Sequence, residues 1–284
     1  MLRIARDRRI DVVAEPLQRQ VTALLERAPR VADALHGRFL GHPAHPGVVA
    51  VPLGAFAVSS VVDALSLAGL ARTSLRRTAD VAVGVGVAAS GIAASTGLAD
   101  WARSGGGASR RVGLVHAGLN LFVSAVMARS LLMGGSSRRP VTVPLLRLAG
   151  CSGSLLAGWL GGELAYRNRN GVDHADRDGP LEWPDAALPQ PLAPGEAGKA
   201  ELAGVPVLLW REPAGELHAI GARCGHLGGP LDEGCIRDGV VTCPWHGSAF
   251  ALAGGGLVRG PATRPQPAYE VREADGGLQL RLVE

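Results

Sequence analysis

"RCGHLGGPLDEGCIRDGVVTCPWHGSAF", residues 223–250, packs three cysteines and two histidines into a chain that holds four and eight of them in all. Its skeleton is Cys224-Gly225-His226, sixteen intervening residues, and Cys243-Pro244-Trp245-His246. Two Cys-plus-His pairs at such short spacing can grip metal from two loops. Disulfides are the weaker reading, because the fourth cysteine, Cys151, lies in an apolar segment and the other three crowd among histidines. Thiolates suit ferric iron, while neutral imidazoles leave a second iron less negatively charged and raise its reduction potential. Zinc also takes Cys and His, yet C-x-H departs from the C-x2-4-C spacing of common zinc fingers.

The flanking "HLGGPL" and "CPWHGSAF" complete a pattern that resembles the Rieske 2Fe-2S family, whose cluster-binding loops read C-x-H-x16-C-x-x-H. The resemblance spans roughly the last 90 to 100 residues. It implies that Cys224 and Cys243 bind the inner iron of the cluster, and His226 and His246 the outer, solvent-facing one. The stretch "GPATRPQPAYEV", Gly260 to Val271, resembles the proline loop that covers the cluster and puts Pro261 beside it. In respiratory members an extra cysteine in each loop forms a disulfide; Gly229 and Trp245 stand at those positions here. Ser248 matches a serine that hydrogen-bonds a bridging sulfide, whereas Phe250 replaces a tyrosine that does likewise. The chain therefore resembles the ferredoxin-type branch found beside bacterial oxygenases, with a potential expected toward the low end of about −150 to +300 mV. Trp245 is expected to shield the cluster or meet a partner, and Cys235 to be a partly buried thiol between the loops. Rieske oxygenases add an iron held by two histidines and a carboxylate. The 38 residues after His246 contain no histidine, so an electron carrier without a substrate-oxidising site is expected.

The rest of the chain has a different character. Only 19% of the 284 residues are charged and 40 are glycine, and the mean hydropathy is +0.17. Much of the apolar content is Ala, Val, Leu and Gly, residues that pack helices closely in a bilayer. The net charge of +4 is arginine-borne, Lys199 being the sole lysine, and scattered arginines with 4% aromatics give no nucleic-acid footprint. Apolar runs at 47–70, 81–99, 112–133 and 143–166 hold 24, 19, 22 and 24 residues, where a spanning helix needs about 20. Short arginine- or aspartate-bearing loops between them make a four-helix transmembrane bundle the expected architecture. No secretion signal is read at the start, because Asp11, Glu15 and Pro16 interrupt any apolar core after Arg8-Arg9. Eight arginines fall on the side of the termini against five on the other, which places both ends and the cluster domain in the cytoplasm.

Residues 1–41 carry apolar positions at helical spacing and are expected to form a cytoplasmic amphipathic segment. Residues 42–166 are the membrane domain, 167–195 a polar linker in which His174 is a solvated loop histidine, and 196–284 an all-β domain whose Asp275-Gly276-Gly277 suits a hairpin turn. The region 30–170, chiefly through His42-Pro43 and His45-Pro46, resembles a family of bacterial four-helix membrane proteins of uncharacterised function with an H-P-x-H-P motif. His42, His45 and His116, with Asn120, Asp100 and Glu163, are expected near the terminal side of the bundle. A haem, metal or quinone site there competes with plain helix-to-helix hydrogen bonding. At the other end Asp63, Arg129 and Arg147 are expected to form a salt-bridged layer.

The fold class expected is thus multidomain: an N-terminal all-α four-helix bundle in lipid, followed by an all-β Rieske domain. The expected function is one-electron transfer between a soluble reductase or ferredoxin and a membrane-associated acceptor, with no small-molecule substrate identified. The alternatives are a quinone- or haem-linked membrane oxidoreductase and an iron-sulfur redox sensor.

Overall fold

The computed structural model describes residues 3–70, 73–177, 179–186, 192–274 and 277–283. The chain divides into two units, Met1–Ala28 with Pro43–Asn170, and Pro29–His42 with Gly171–Glu284. The segment expected as one amphipathic stretch over 1–41 is therefore split between them. The break follows from Pro29: the residue before a proline is pushed out of the helical region, and Ala28 sits at φ −133°, ψ 67°. Proline is then well placed in the first turn of the next helix.

In the first unit α1 (Arg3–Arg6) and α2 (Asp11–Arg27) precede the long helices, and α3 (Pro29–His36) belongs to the second unit. The long helices are α4 (His45–Leu67), α5 (Thr73–Ala102), α6 (Gly106–Leu132) and, after the short α7 (Gly135–Arg138), α8 (Thr142–Gly162). Each of the four is long and apolar enough to cross a bilayer. Two start earlier than the apolar runs suggest. Thr73 rather than Val81 opens α5, and Gly106 rather than Val112 opens α6, so both helices take in their flanking arginines.

The bundle's outer face is apolar, and its interior holds buried polar groups among apolar side chains. Val61, Val81, Ile92, Leu121, Phe122, Leu155 and Trp159 are exposed, whereas Ser59, Asp63, Thr96, Ser130, Arg147 and Ser154 are buried. In water this arrangement would leave the hydrophobic effect unsatisfied; with lipid as the solvent it is the favourable one. Phe56, Val83, Val123 and Met127 form an apolar core. Gly86 makes room for Phe56, and Gly150 faces the Met127 methyl at 3.0 Å from where its Cβ would be. The buried arginine at 147 is held by Asp80 at 2.7 Å, Asp63 at 3.7 Å and the Ser130 hydroxyl at 2.8 Å. Asp80, not the exposed Arg129, completes the expected polar layer. Helix α2 meets α5 and α6 through polar groups: Asp11 pairs with Arg110 and Arg111, Gln18 donates to the Trp101 carbonyl and Thr22 to that of Ala102. The Arg111 guanidinium holds the Asp11 carboxyl below the usual carboxylate range.

The second unit contains two antiparallel sheets. A six-stranded sheet has the order β1-β10-β9-β4-β3-β2, from β1 (Asp185–Ala186), β2 (Ala197–Leu202), β3 (Val205–Arg211), β4 (Leu217–Gly221), β9 (Ala268–Ala274) and β10 (Gly277–Leu282). The other runs β5-β6-β7-β8, from β5 (Cys235–Arg237), β6 (Val240–Thr242), β7 (Ala249–Ala251) and β8 (Leu257–Arg259). Leu208, Ile220, Leu231, Val241, Phe250 and Leu252 fill the core that surrounds Cys224 and Cys243. Strands β9 and β10 pair with Ala274 opposite Gly277, while the expected turn residues Asp275 and Gly276 lie outside the described residues. The expected linker over 167–195 is shorter than read. Residues from Gly171 belong to this unit, and Asp185 and Ala186 already form a strand on β10.

Removing Arg147 tests the buried polar layer. Arg147→Ala takes away the guanidinium that Asp63 and Asp80 share and is expected to cost about 3–5 kcal/mol. Arg129→Ala, at an exposed position, is expected to stay within about 0.5 kcal/mol. Thermal unfolding of both variants in detergent, followed by helical circular dichroism, separates them.

Candidate metal centre

Two loops at one end of the β unit share the same internal geometry. In the loop after β4, the Cys224 N–H donates to the Gly229 carbonyl at 2.9 Å and the Gly228 N–H to the Cys224 carbonyl at 2.8 Å. In the loop after β6, Cys243 donates to Ser248 at 2.8 Å and Gly247 to Cys243 at 3.1 Å. The positions four residues after each cysteine, Gly228 and Gly247, lie at φ +75° and +76°. Only glycine takes that left-handed conformation without strain. The two turns thus present a cysteine inward and a histidine outward.

The sulfurs of Cys224 and Cys243 lie within hydrogen-bonding reach of each other, and both residues are buried. Backbone N–H groups point at them, that of His226 at Cys224 and those of Trp245 and His246 at Cys243. The Ser248 hydroxyl reaches the Cys224 sulfur and accepts the Ala262 N–H at 3.0 Å. His226 and His246 are half-buried, their rings edge-on with centroids 4.9 Å apart. Trp245, 57% exposed, lies edge-on to His246. A Cβ on Gly229 would stand 2.8 Å from the Cys243 sulfur and 3.2 Å from the Trp245 ring. The two positions that a disulfide would join therefore do lie against each other, without cysteines.

Two thiols placed together in an apolar core share one proton easily and lose both with difficulty. The hydrogen bond from the Cys224 thiol lowers Cys243 to about 6, and the same bond, with burial, pushes Cys224 far up. A metal centre resolves that conflict by replacing both protons. Two sulfurs inside and two imidazoles at the rim fit a two-iron cluster with unlike irons.

Three features of the site have weaker sequence signals. Gln266, buried under the loops, fits with its amide oxygen accepting the Gly225 N–H at 2.9 Å and its nitrogen donating to the Arg223 carbonyl at 3.2 Å. The stretch before β1 straps the same region: His174 N–H donates to the Gly225 carbonyl at 2.9 Å, Arg177 to that of Pro265 at 2.8 Å, and Asp176 pairs with Arg223 at 3.2 Å. His174 is accordingly half-buried beside Gly228 rather than a solvated loop residue. Cys235, expected to be partly buried, is exposed on the edge strand β5, because its neighbour Ile236 takes the inward side of the pleat. Pro261 is buried in the covering loop.

The membrane histidines separate. His42 falls in the second unit and His45 and His116 in the first. His45 Nδ1 donates to the Ala93 carbonyl at 3.0 Å and His116 Nδ1 to that of Ala157 at 2.8 Å. Carbonyls only accept, so Nδ1 carries the proton in both rings, and the His116 Nε2 accepts the Asn120 amide at 3.2 Å. Gly97 and Gly161 leave room for the two rings. Each contact ties one helix to its neighbour.

Comparison with known proteins adds the following. Residues 182–270 match the family described as "Rieske [2Fe-2S] domain", and residues 41–174 the family described as "Predicted membrane protein (DUF2231)". The mouse (Mus musculus) apoptosis-inducing factor 3 is 37% identical over 81 residues, covering 28% of this chain and 13% of that protein. The oxygenase component of dicamba O-demethylase from Stenotrophomonas maltophilia is 37% identical over 79 residues, 28% of this chain and 23% of its own. Ferredoxin CarAc from Metapseudomonas resinovorans is 27% identical over 98 residues, 34% of this chain and 92% of its own. The similarity thus covers a small part of the first two relatives and nearly all of the ferredoxin.

Two outcomes are expected at this centre. Gly247→Ala should cost about 1–3 kcal/mol of backbone strain and lower the spin count per protein in electron paramagnetic resonance (EPR). In cluster-free protein carrying Cys151→Ala and Cys235→Ala, ultraviolet thiolate absorbance should rise through about pH 6 as Cys243 ionises, thiol below and thiolate above. Cys224 should remain protonated through neutral pH, so that only one of the two thiols titrates. With both regions matched and their folds in place, the chain joins a DUF2231 membrane domain to a Rieske [2Fe-2S] domain.

Proposed function

We propose that the chain is a membrane-anchored electron carrier, passing single electrons between a soluble reductase or ferredoxin and a membrane-associated acceptor. The observation that carries this reading is the pair of imidazoles, His226 and His246, set at the rim over two buried cysteines and beside the exposed Trp245. Cys224 and Cys243 would hold the inner iron, and His226 and His246 the outer one. When bound, the cluster supplies a reversible one-electron couple. The protein's own part is electrostatic: N–H groups of His226, Trp245 and His246 and the Ser248 hydroxyl steady negative charge on sulfur. Phe250, buried in the core, offers no such donor, which favours the low end of the Rieske range. The relatives support a carrier role in kind, since they include a ferredoxin and an oxygenase component.

The arginine asymmetry supports both termini and the cluster domain on the cytoplasmic side. Lipid is then a partner of the four apolar helices, and redox proteins the partners of the cluster. A second reading, a haem or quinone site in the bundle, rests on His45 and His116, whose Nδ1 protons are committed to carbonyls so that Nε2 faces elsewhere. The Asn120 amide already engages one of these nitrogens, which favours structural hydrogen bonding. A redox sensor is the third reading, and it predicts no rapid turnover with any reductase.

Low-temperature EPR with an optical spectrum of the dithionite-reduced, detergent-purified full chain tests the set. A Rieske-type signal without haem bands is expected, together with stopped-flow reduction by a ferredoxin reductase. Changing both Cys224 and Cys243 to Ser should abolish the visible iron-sulfur absorption. Retention of that absorption would falsify the ligand assignment, and haem bands lost in His45→Ala would move the function to the bundle.

A further inference from the structure

The covering loop of the candidate centre is bonded on two edges. Its inner edge meets the cysteine loops: the Ala262 N–H donates to the buried Ser248 hydroxyl at 3.0 Å, and Gln266 lies against Gly225 and Arg223. Its outer edge meets residues from far away in the chain that belong to the same unit. The Asp33 carboxylate accepts the Gly260 N–H at 3.4 Å with one oxygen and the Arg38 guanidinium at 2.8 Å with the other. Arg38 also donates to the Leu257 carbonyl at 2.8 Å. Midway along the loop, Arg264 donates to the Gly41 carbonyl at 2.7 Å.

These bonds form a closed frame. Asp33 and Arg38 hold the start of the loop, Arg264 ties its middle to Gly41, and between these two points Ala262 bonds Ser248. The frame is tight as well as bonded, since a Cβ on Gly260 would stand 3.0 Å from the Asp33 oxygen. Left-handed turns at Gly37 and Gly41, at φ +81° and +72°, bend the stretch around the short helical turn Arg38–Leu40. The Asp33–Arg38 pair is partly shielded, with side chains 25% and 34% exposed; Asp33 also bonds the loop at Gly260, and Arg38 the strand that leads into it at Leu257. A pair used this way fixes a position more than it adds stability.

We propose that Asp33 and Arg38 are positioning residues for the iron-sulfur centre: the stretch Asp33–Gly41 clasps the covering loop and so sets how much water reaches the cluster. The proposal rests on the cluster assignment above. Reduction makes a cluster more negative, and water stabilises the added charge. A loosened loop therefore raises the reduction potential and speeds attack on the cluster by oxygen and chelators. In this chain the clasp comes from sequence ahead of the first apolar helix, so the cluster domain is completed by residues on the other side of the whole membrane domain in sequence.

The test uses the full chain in detergent. The double variant Asp33→Ala, Arg38→Ala is compared with wild type by potentiometric EPR titration and by the rate of cluster bleaching under air with EDTA. The expected result is a several-fold to tenfold shift of the one-electron equilibrium toward the reduced form, tenfold being about 59 mV, with bleaching several-fold faster. Asp33→Glu with Arg38 intact should restore most of both. A double variant with a lower unfolding temperature but wild-type potential and bleaching rate would overturn the proposal, since that is what packing alone predicts. Where the double variant holds no cluster, Arg264→Ala removes only the bond to Gly41 and carries the same expectation at smaller size; an unchanged potential there also overturns it. A wild-type chain without a Rieske signal would instead sink the cluster assignment, and the proposal with it.

Discussion

Two cysteine thiols placed side by side in an apolar core create a conflict on which the β unit depends. Burial opposes charge on either sulfur, and proximity opposes charge on both. The protein meets this by aiming donors at the pair: backbone N–H groups of His226, Trp245 and His246, and the Ser248 hydroxyl. Those donors converge only because both loops adopt the same turn, which in turn requires left-handed glycines at 228 and 247. The sheets supply rigid ends for the loops, with Phe250, Leu231 and Leu252 packed beneath the sulfurs.

The membrane unit solves the opposite problem. Its solvent is apolar, so the groups that need partners are the polar ones, and they turn inward. Arg147 gathers Asp63, Asp80 and Ser130 from three other helices. His45 and His116 find carbonyls on neighbouring helices. Glycines at 97 and 161 make room for the two histidine rings, and those at 86 and 150 for Phe56 and Met127. The unit is held together by packing and by polar contacts that have no better alternative in lipid.

Chain order and domain membership do not coincide here. The β unit takes residues 29–42 from ahead of the membrane domain and resumes at Gly171. Its covering loop is thereby bonded to a stretch more than 200 positions away, as the separation of 227 between Asp33 and Gly260 records. Residues 171–177, which composition marks as a spacer, strap the cysteine loops through His174, Asp176 and Arg177. A short polar stretch serves here as a surface brace.

The amino-acid sequence alone determined the class of both halves: the apolar runs are about as long as a bilayer span requires, and the C-x-H and C-x-x-H spacing is specific enough to mark a cluster. Both are local patterns, legible because length and spacing act within one helix or one loop. That Asp80 joins Asp63 and Arg147 in the buried layer while Arg129 is exposed was decided by helix packing, since depth along the chain does not say which face a residue takes. Gln266, His174 and the clasp at Asp33 and Arg38 were likewise invisible to spacing: their roles arise where segments distant in sequence meet. Cys235 turned outward for the same reason, the pleat being set by its pairing with Thr242. Residue types and short spacings therefore determined what the protein is made to hold, and tertiary structure decided what holds it in place, because hydrogen-bond partners far apart in sequence are chosen by the fold.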